Sequence, residues 1–109
     1  MLMRLEKARP IKHYKQYSYP FCFDKIYVDE FKEDYHRFSK ELRKYGINLY
    51  FGDHEIFWNY NGVTAVVKED GVYFDKEFYN NNRNKCELFS YTVVSMLASF
   101  GYVSRFRRC

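Results

Sequence analysis

The sequence predicts an α+β domain: an antiparallel four- to five-stranded meander sheet with two helices packed on one face. Three observations carry this reading. Apolar residues recur at spacings of three and four in two separate stretches, 29–45 and 85–100, the period of a helix with one buried stripe. Between them lie short runs rich in β-branched and aromatic residues, divided by Gly-containing turns. The resulting order, helix, four strands, helix, is that of a sheet with its helices gathered on one side. The 109 residues suit a single domain, 1–109, and show no internal repeat or domain boundary.

Residues 1–23 read as a basic, aromatic arm and 24–109 as the body. In the arm, Arg9-Pro10 and Tyr19-Pro20 interrupt any long helix, because Pro lacks an N–H and disfavours helical geometry before it. The segment between them fits either a short strand or an extended chain laid on the body. The first helix, 29–45, carries Val28, Phe31, Tyr35, Phe38, Leu42 and Tyr45 on or beside one stripe. Asp29 is its expected N-cap. Glu30, Glu33 and Asp34 suit its positive end, Arg43 and Lys44 its negative end. Gly46 is the expected stop.

The strands are expected at 47–51, 54–60, 63–68 and 72–75. Asn61-Gly62 is the strongest hairpin signal, since both residues tolerate positive φ. Gly52-Asp53 and Asp70-Gly71 mark the other turns. Residues 80–84, Asn-Asn-Asn-Arg-Asn, read as a polar loop, with Asn84 capping a second helix at 85–100. Cys86, Phe89, Val93, Met96, Leu97 and Phe100 form that helix's apolar face, and Gly101 ends it. The tail, 102–108, alternates in the manner of a fifth strand.

Rings are in surplus. Tyr, Phe and Trp make up 22% of the chain, more than one small core requires. Strand periodicity places Ile47, Leu49, Phe51, Ile56 and Trp58 on the face under the helices. Tyr50, Phe57 and Tyr73 fall on the other face, which in an open antiparallel sheet is usually polar. Two readings follow. The arm covers this face with Tyr14, Tyr17, Tyr19, Phe21 and Phe23, or the three rings are an interface for a partner. Sheet aromatics also stack nucleic-acid bases.

The net charge of +4 is unevenly spread. Five bases against Glu6 give 1–22 a charge of +4, and three arginines give 101–109 a charge of +3, so the middle is acidic. Basic ends attract polyanions. Lys12, Lys15, Arg105, Arg107 and Arg108 are the expected phosphate contacts, with Tyr14, Tyr17 and Phe106 as stacking rings. Arg83 and Lys85, beside a helix N-terminus, form an anion-binding candidate; a simple capping loop explains the same residues.

Chemistry is harder to find. The longest uncharged stretch, 88–104, is broken by Ser and Thr and falls short of the ~20 apolar residues of a membrane span. The first residues lack the apolar segment of a secretory signal, so an address in the cytoplasm is expected. Cys22, Cys86 and Cys109 form no C-x-x-C pair, which argues against a disulfide framework and a zinc site. Cys86 sits on the predicted buried stripe, where thiols are inert. Asp53, His54 and Glu55 are consecutive ionisable groups at a turn, but strand geometry sends His54 and Glu55 to opposite faces. An enzymatic reading needs His54 to meet a carboxylate or Cys from elsewhere. Asp53, Asp70 and Asp75 lie near turns without any metal-binding spacing. No cofactor is expected, and no phosphate loop or G-x-S-x-G is present.

In composition the whole chain resembles small orphan proteins of phages and thermophilic archaeal viruses, short and rich in Tyr, Phe, Asn and Lys. The resemblance implies a binding protein of the host cytoplasm that engages nucleic acid, a host protein or a second copy of itself. DNA mimics are acidic, and this chain is basic. The leading expectation is a small non-enzymatic protein, encoded by a virus or mobile element, that engages nucleic acid or a nucleoprotein. The alternative is a protein–protein module: a homodimer, or an inhibitor of a host enzyme or defence system.

Overall fold

Strand β4 (Ile47–Gly52), β5 (Glu55–Tyr60), β6 (Val63–Lys68) and β7 (Gly71–Asp75) form an antiparallel meander. The structure, a computed structural model, describes residues 14–17, 21–105 and 107–108, with side chains from 23 to 105. Upstream of the meander come β1 (Tyr14–Tyr17), β2 (Phe21–Cys22), β3 (Lys25–Ile26), α1 (Val28–Asp34), a 3₁₀ turn (Tyr35–Arg37) and α2 (Ser39–Lys44). Downstream are α3 (Lys76–Asn81), α4 (Arg83–Ser99), β8 (Val103–Ser104) and β9 (Arg107–Arg108). The fold is α+β, with the helices packed on the sheet. Among the described residues no helix is long and apolar enough to cross a membrane.

The turns follow from the residues in them. Asn61 (φ 55°) and Gly62 (φ 79°) both take positive φ, the geometry whose twist matches a two-residue hairpin, and Tyr60 pairs with Val63 across it. Gly46 stops α2 at φ 76°, its N–H bonding back to the Arg43 carbonyl at 3.0 Å. The strand phase is as expected. Ile47, Leu49, Ile56 and Trp58 are buried in the main core with Val63, Ala65, Val67, Val72 and Phe74. Phe51 packs against that core from its margin.

The first helix is not continuous. It starts at Val28, so Asp29 lies in its first turn and not at the cap, which is Tyr27. It breaks at 35–38, with Phe38 at φ −116°. Packing of rings accounts for the break. In one straight helix Phe31 and Phe38 would stand about 10.5 Å apart along the axis. Here their rings stack at 5.8 Å, and Phe38 stacks in turn on Phe100 at 4.3 Å. Phe31 is fully buried, with Tyr35, Phe51, Phe100 and Tyr102 also around it. Much of the aromatic surplus is consumed in this cluster. Tyr45, expected on the stripe, lies just past the end of α2 and is exposed.

The Asn-rich stretch is helical where a loop was expected. Asp75 caps α3, its carboxylate accepting the Phe78 N–H at 3.1 Å. Asn82 alone (φ −142°, ψ 49°) joins α3 to α4, donating from Nδ2 to the Phe78 carbonyl at 3.0 Å. Its own carbonyl accepts from Cys86 N–H, so the cap position belongs to Asn82, with Asn84 inside the helix. The cap side chain makes no bond to the helix.

The fifth strand of the sheet comes from the arm. β1 lies antiparallel beside β7, with Tyr14 opposite Asp75, giving the order β1-β7-β6-β5-β4. The tail instead forms two short ladders, β8 with β3 and β9 with β2. Arg105, at φ 53°, turns the chain between them.

Candidate functional site

Helix α4 owes its packing to one face. Cys86, Phe89, Ser90, Val93, Val94 and Leu97 are buried against the sheet. The opposite side of an amphipathic helix should be charged. Past the first turns, which carry Arg83, Lys85 and Glu87, it is Leu88, Tyr91, Thr92, Ser95 and Ser99, and no charged residue occurs from position 88 to position 104. Leu88 is 66% exposed and Tyr91 42%.

Beside this face runs a groove. Its first part, about 350 Å³, lies between the first half of α4 and the sheet end, over Ile47, Trp58 and Val63, with Tyr45 and Tyr60 at its margin. Its second part, about 410 Å³ and more open, follows the later half of α4 past Ser95 and Ser99. The two parts share Tyr45, Thr92 and Met96. Among the described residues, all four large hydrophobic side chains that are exposed, Tyr45, Tyr60, Leu88 and Tyr91, line one part or the other. Lys85 supplies the charge at one end and Glu41 at the other. The interior is apolar, so it suits hydrophobic side chains and lacks the row of cations that a phosphate backbone requires.

The expected nucleic-acid contacts fall largely outside the described residues. Lys12 and Phe106 lie outside the described residues, as do the side chains of Tyr14, Lys15, Tyr17, Arg107 and Arg108. The backbones of the first three of those run in β1 and of the last two in β9, which belong to different ladders. Arg105 pairs with Asp24 at 3.2 Å. Arg83 covers the Tyr79 ring at 5.7 Å while Lys85 lines the groove, as expected of helix residues two apart, which do not face each other.

Tyr50, Phe57 and Tyr73 do share a row across the outer sheet face, with Val66 between the last two. They are not openly presented. Phe57 and Val66 are 8% and 1% exposed and stand apart from the main core. Tyr73 donates to Asp70 at 2.9 Å, with Lys68 over its ring at 5.5 Å. Burial, then that hydrogen bond, push its hydroxyl up to about 12.

His54 meets a distant carboxylate. It sits in the β4–β5 turn at φ 62° and not within the strand. Its Nδ1–H donates to both Asp29 oxygens, at 3.0 and 2.8 Å, with Asp53 at 3.5 Å from Nε2. The Asp29 hydrogen bond and charge raise its pKa above the ordinary value. The imidazole is exposed and lines neither part of the groove, so the contact fastens α1 to the turn, with Lys32 donating to the Gly52 carbonyl alongside at 3.3 Å. Cys86 is fully buried, and burial pushes its thiol up to about 11, away from nucleophilic use. Among the described residues, no three His, Cys, Asp or Glu side chains are grouped to hold a metal ion.

The groove is what the residue-by-residue reading missed. The signal was present in 88–104, where most of a helix runs without a charged residue to mark a solvent face. The chain matches no family model, no curated protein and no solved structure.

Proposed function

We propose that this protein is a non-enzymatic binding module of the cytoplasm that works by protein–protein contact through the α4 groove. One observation carries the reading: every exposed large hydrophobic side chain among the described residues borders one groove, apolar between Lys85 at one end and Glu41 at the other. Tyr rings of this kind are common anchors of protein interfaces. Those four side chains leave roughly 400 Å² to solvent, taking 150–250 Å² as the full burial of one aromatic ring. Covering that area is worth on the order of 10 kcal/mol gross at ~25 cal/mol per Å². Association costs ~4–15 kcal/mol, so the partner must contribute a matching apolar surface.

The test is a photoreactive residue at position 88, with a control at exposed Lys76. The expected result is one discrete polypeptide adduct at position 88 and none at position 76. Nuclease-sensitive material at position 88, or equal labelling at both positions, would overturn the proposal in favour of nucleic-acid contact or no specific contact.

A further inference from the structure

The groove and the exposed face of α4 fit each other, and we infer that the occupant is a second copy of this chain, related by a two-fold axis beside Tyr91 and Thr92. This rests on the reading of the groove as a protein interface. The exposed face of α4 is divided in size. Its first half presents Leu88 and Tyr91; its second half presents Thr92, Ser95 and Ser99, with the open depression beside them. Large side chains and the space to receive them therefore lie on one surface, displaced along one helix. A two-fold axis reverses the helix and brings each half onto the other. With the axis between positions 91 and 92, Leu88 faces Ser95 of the second copy, and position 84 faces position 99. The small side chain of Ser95 opposite Leu88 leaves room for the larger one.

The charges follow the same operation. Lys85 marks one end of the groove and Glu41 the other, the latter sharing its depression with Ser99. Reversal sets Lys85 of each copy against Glu41 of the other, two opposite-charge contacts at the rim of an uncharged centre. A parallel arrangement would place like charges together. The area is also adequate. A standard interface takes about 800 Å² from each partner, of which the four exposed hydrophobic side chains supply about half. The uncharged Ser and Thr surface and the charged rim supply the remainder.

Light scattering across a concentration series, at low and high salt, tests the assembly. The full chain is expected to run as a dimer at micromolar concentration and to persist in high salt. Leu88→Asp, at an exposed position, is expected to run as a monomer with unchanged circular dichroism. Lys85→Glu and Glu41→Lys should each weaken the dimer about tenfold at low salt, and the double exchange should recover most of that loss. A monomer at all concentrations overturns the inference, as does a dimer indifferent to Leu88→Asp or to the charge exchanges. Photo-crosslinking at position 88 separates the two levels. A monomer that yields a discrete adduct with a different polypeptide sinks the dimer alone; a monomer that yields no adduct sinks the groove reading with it.

Discussion

Replacing Phe31 by Leu should cost this protein about 2–3 kcal/mol, from ~0.8 kcal/mol per buried carbon lost and the ring contacts forfeited. The side chain is fully buried, with ring centroids of Tyr102, Phe38, Tyr35, Phe51 and Phe100 at 5.3, 5.8, 6.3, 6.4 and 6.4 Å. Leu removes about three ring carbons from that space, and its branched end reproduces none of the edge-to-face geometry toward Tyr102. Native stability for such a domain is about 5–15 kcal/mol, so the loss is large without abolishing the fold. Urea titration followed by far-ultraviolet circular dichroism should show the midpoint falling while the slope is unchanged. A thermal midpoint lower by on the order of 10–20 °C should accompany it. A loss below about 0.5 kcal/mol would mean that Phe31 is not the centre of the cluster, and the packing account of the helix break would fall with it.

Other consequences are as direct. The Ser90 hydroxyl is buried without a hydrogen-bond partner among the described residues, so Ser90→Ala should raise stability by about 1 kcal/mol through relief of desolvation and better helix propensity; a loss of stability in the same titration would show that the hydroxyl is bonded. His54 has its pKa raised by Asp29, so its contribution is present below about pH 6.5 and is lost as pH rises through the higher folded value. Against His54→Asn, which keeps the positive φ accessible, the stability difference should be larger at pH 5.5 than at pH 9, and a pH-independent difference would contradict the ion pair. With Cys22 and Cys109 replaced by Ser, Cys86 at pH 8 should react with a thiol reagent at least about 100-fold more slowly in the native chain than in urea, from thiolate fraction alone. Equal rates would show an accessible thiol.

The meander was legible because its signals are local. Asn61-Gly62, Gly46 and the alternation through Ile47, Leu49, Ile56 and Trp58 each act within a few residues. The break at Phe38 was not, because it is imposed by Phe100, far along the chain, and helical spacing alone cannot report a ring stacked from outside. The helix at 76–81 was hidden by its composition: Asn is a weak helix former, yet the Asp75 cap and buried Tyr79 outweigh it. Tyr45 keeps the helical spacing but lies past the helix end and is exposed. For Phe57 the alternation gave the outer face and left open whether it is covered; it is 8% exposed. Periodicity gives the face on which a residue lies and not what stands opposite it.

The pairing of 21–22 with 107–108 and of 25–26 with 103–104 has a consequence for synthesis. Phe100 and Tyr102, which close over Phe31 and Phe38, are made 62 to 71 residues after them. While the ribosome is still adding the meander and α4, those rings lack their final neighbours, and β2 and β3 lack their partner strands. Contacts of such long sequence separation form late and slowly. The aromatic cluster is thus a latch set only when residues 100–108 emerge, and a nascent chain stalled before that point exposes rings that other chains can capture.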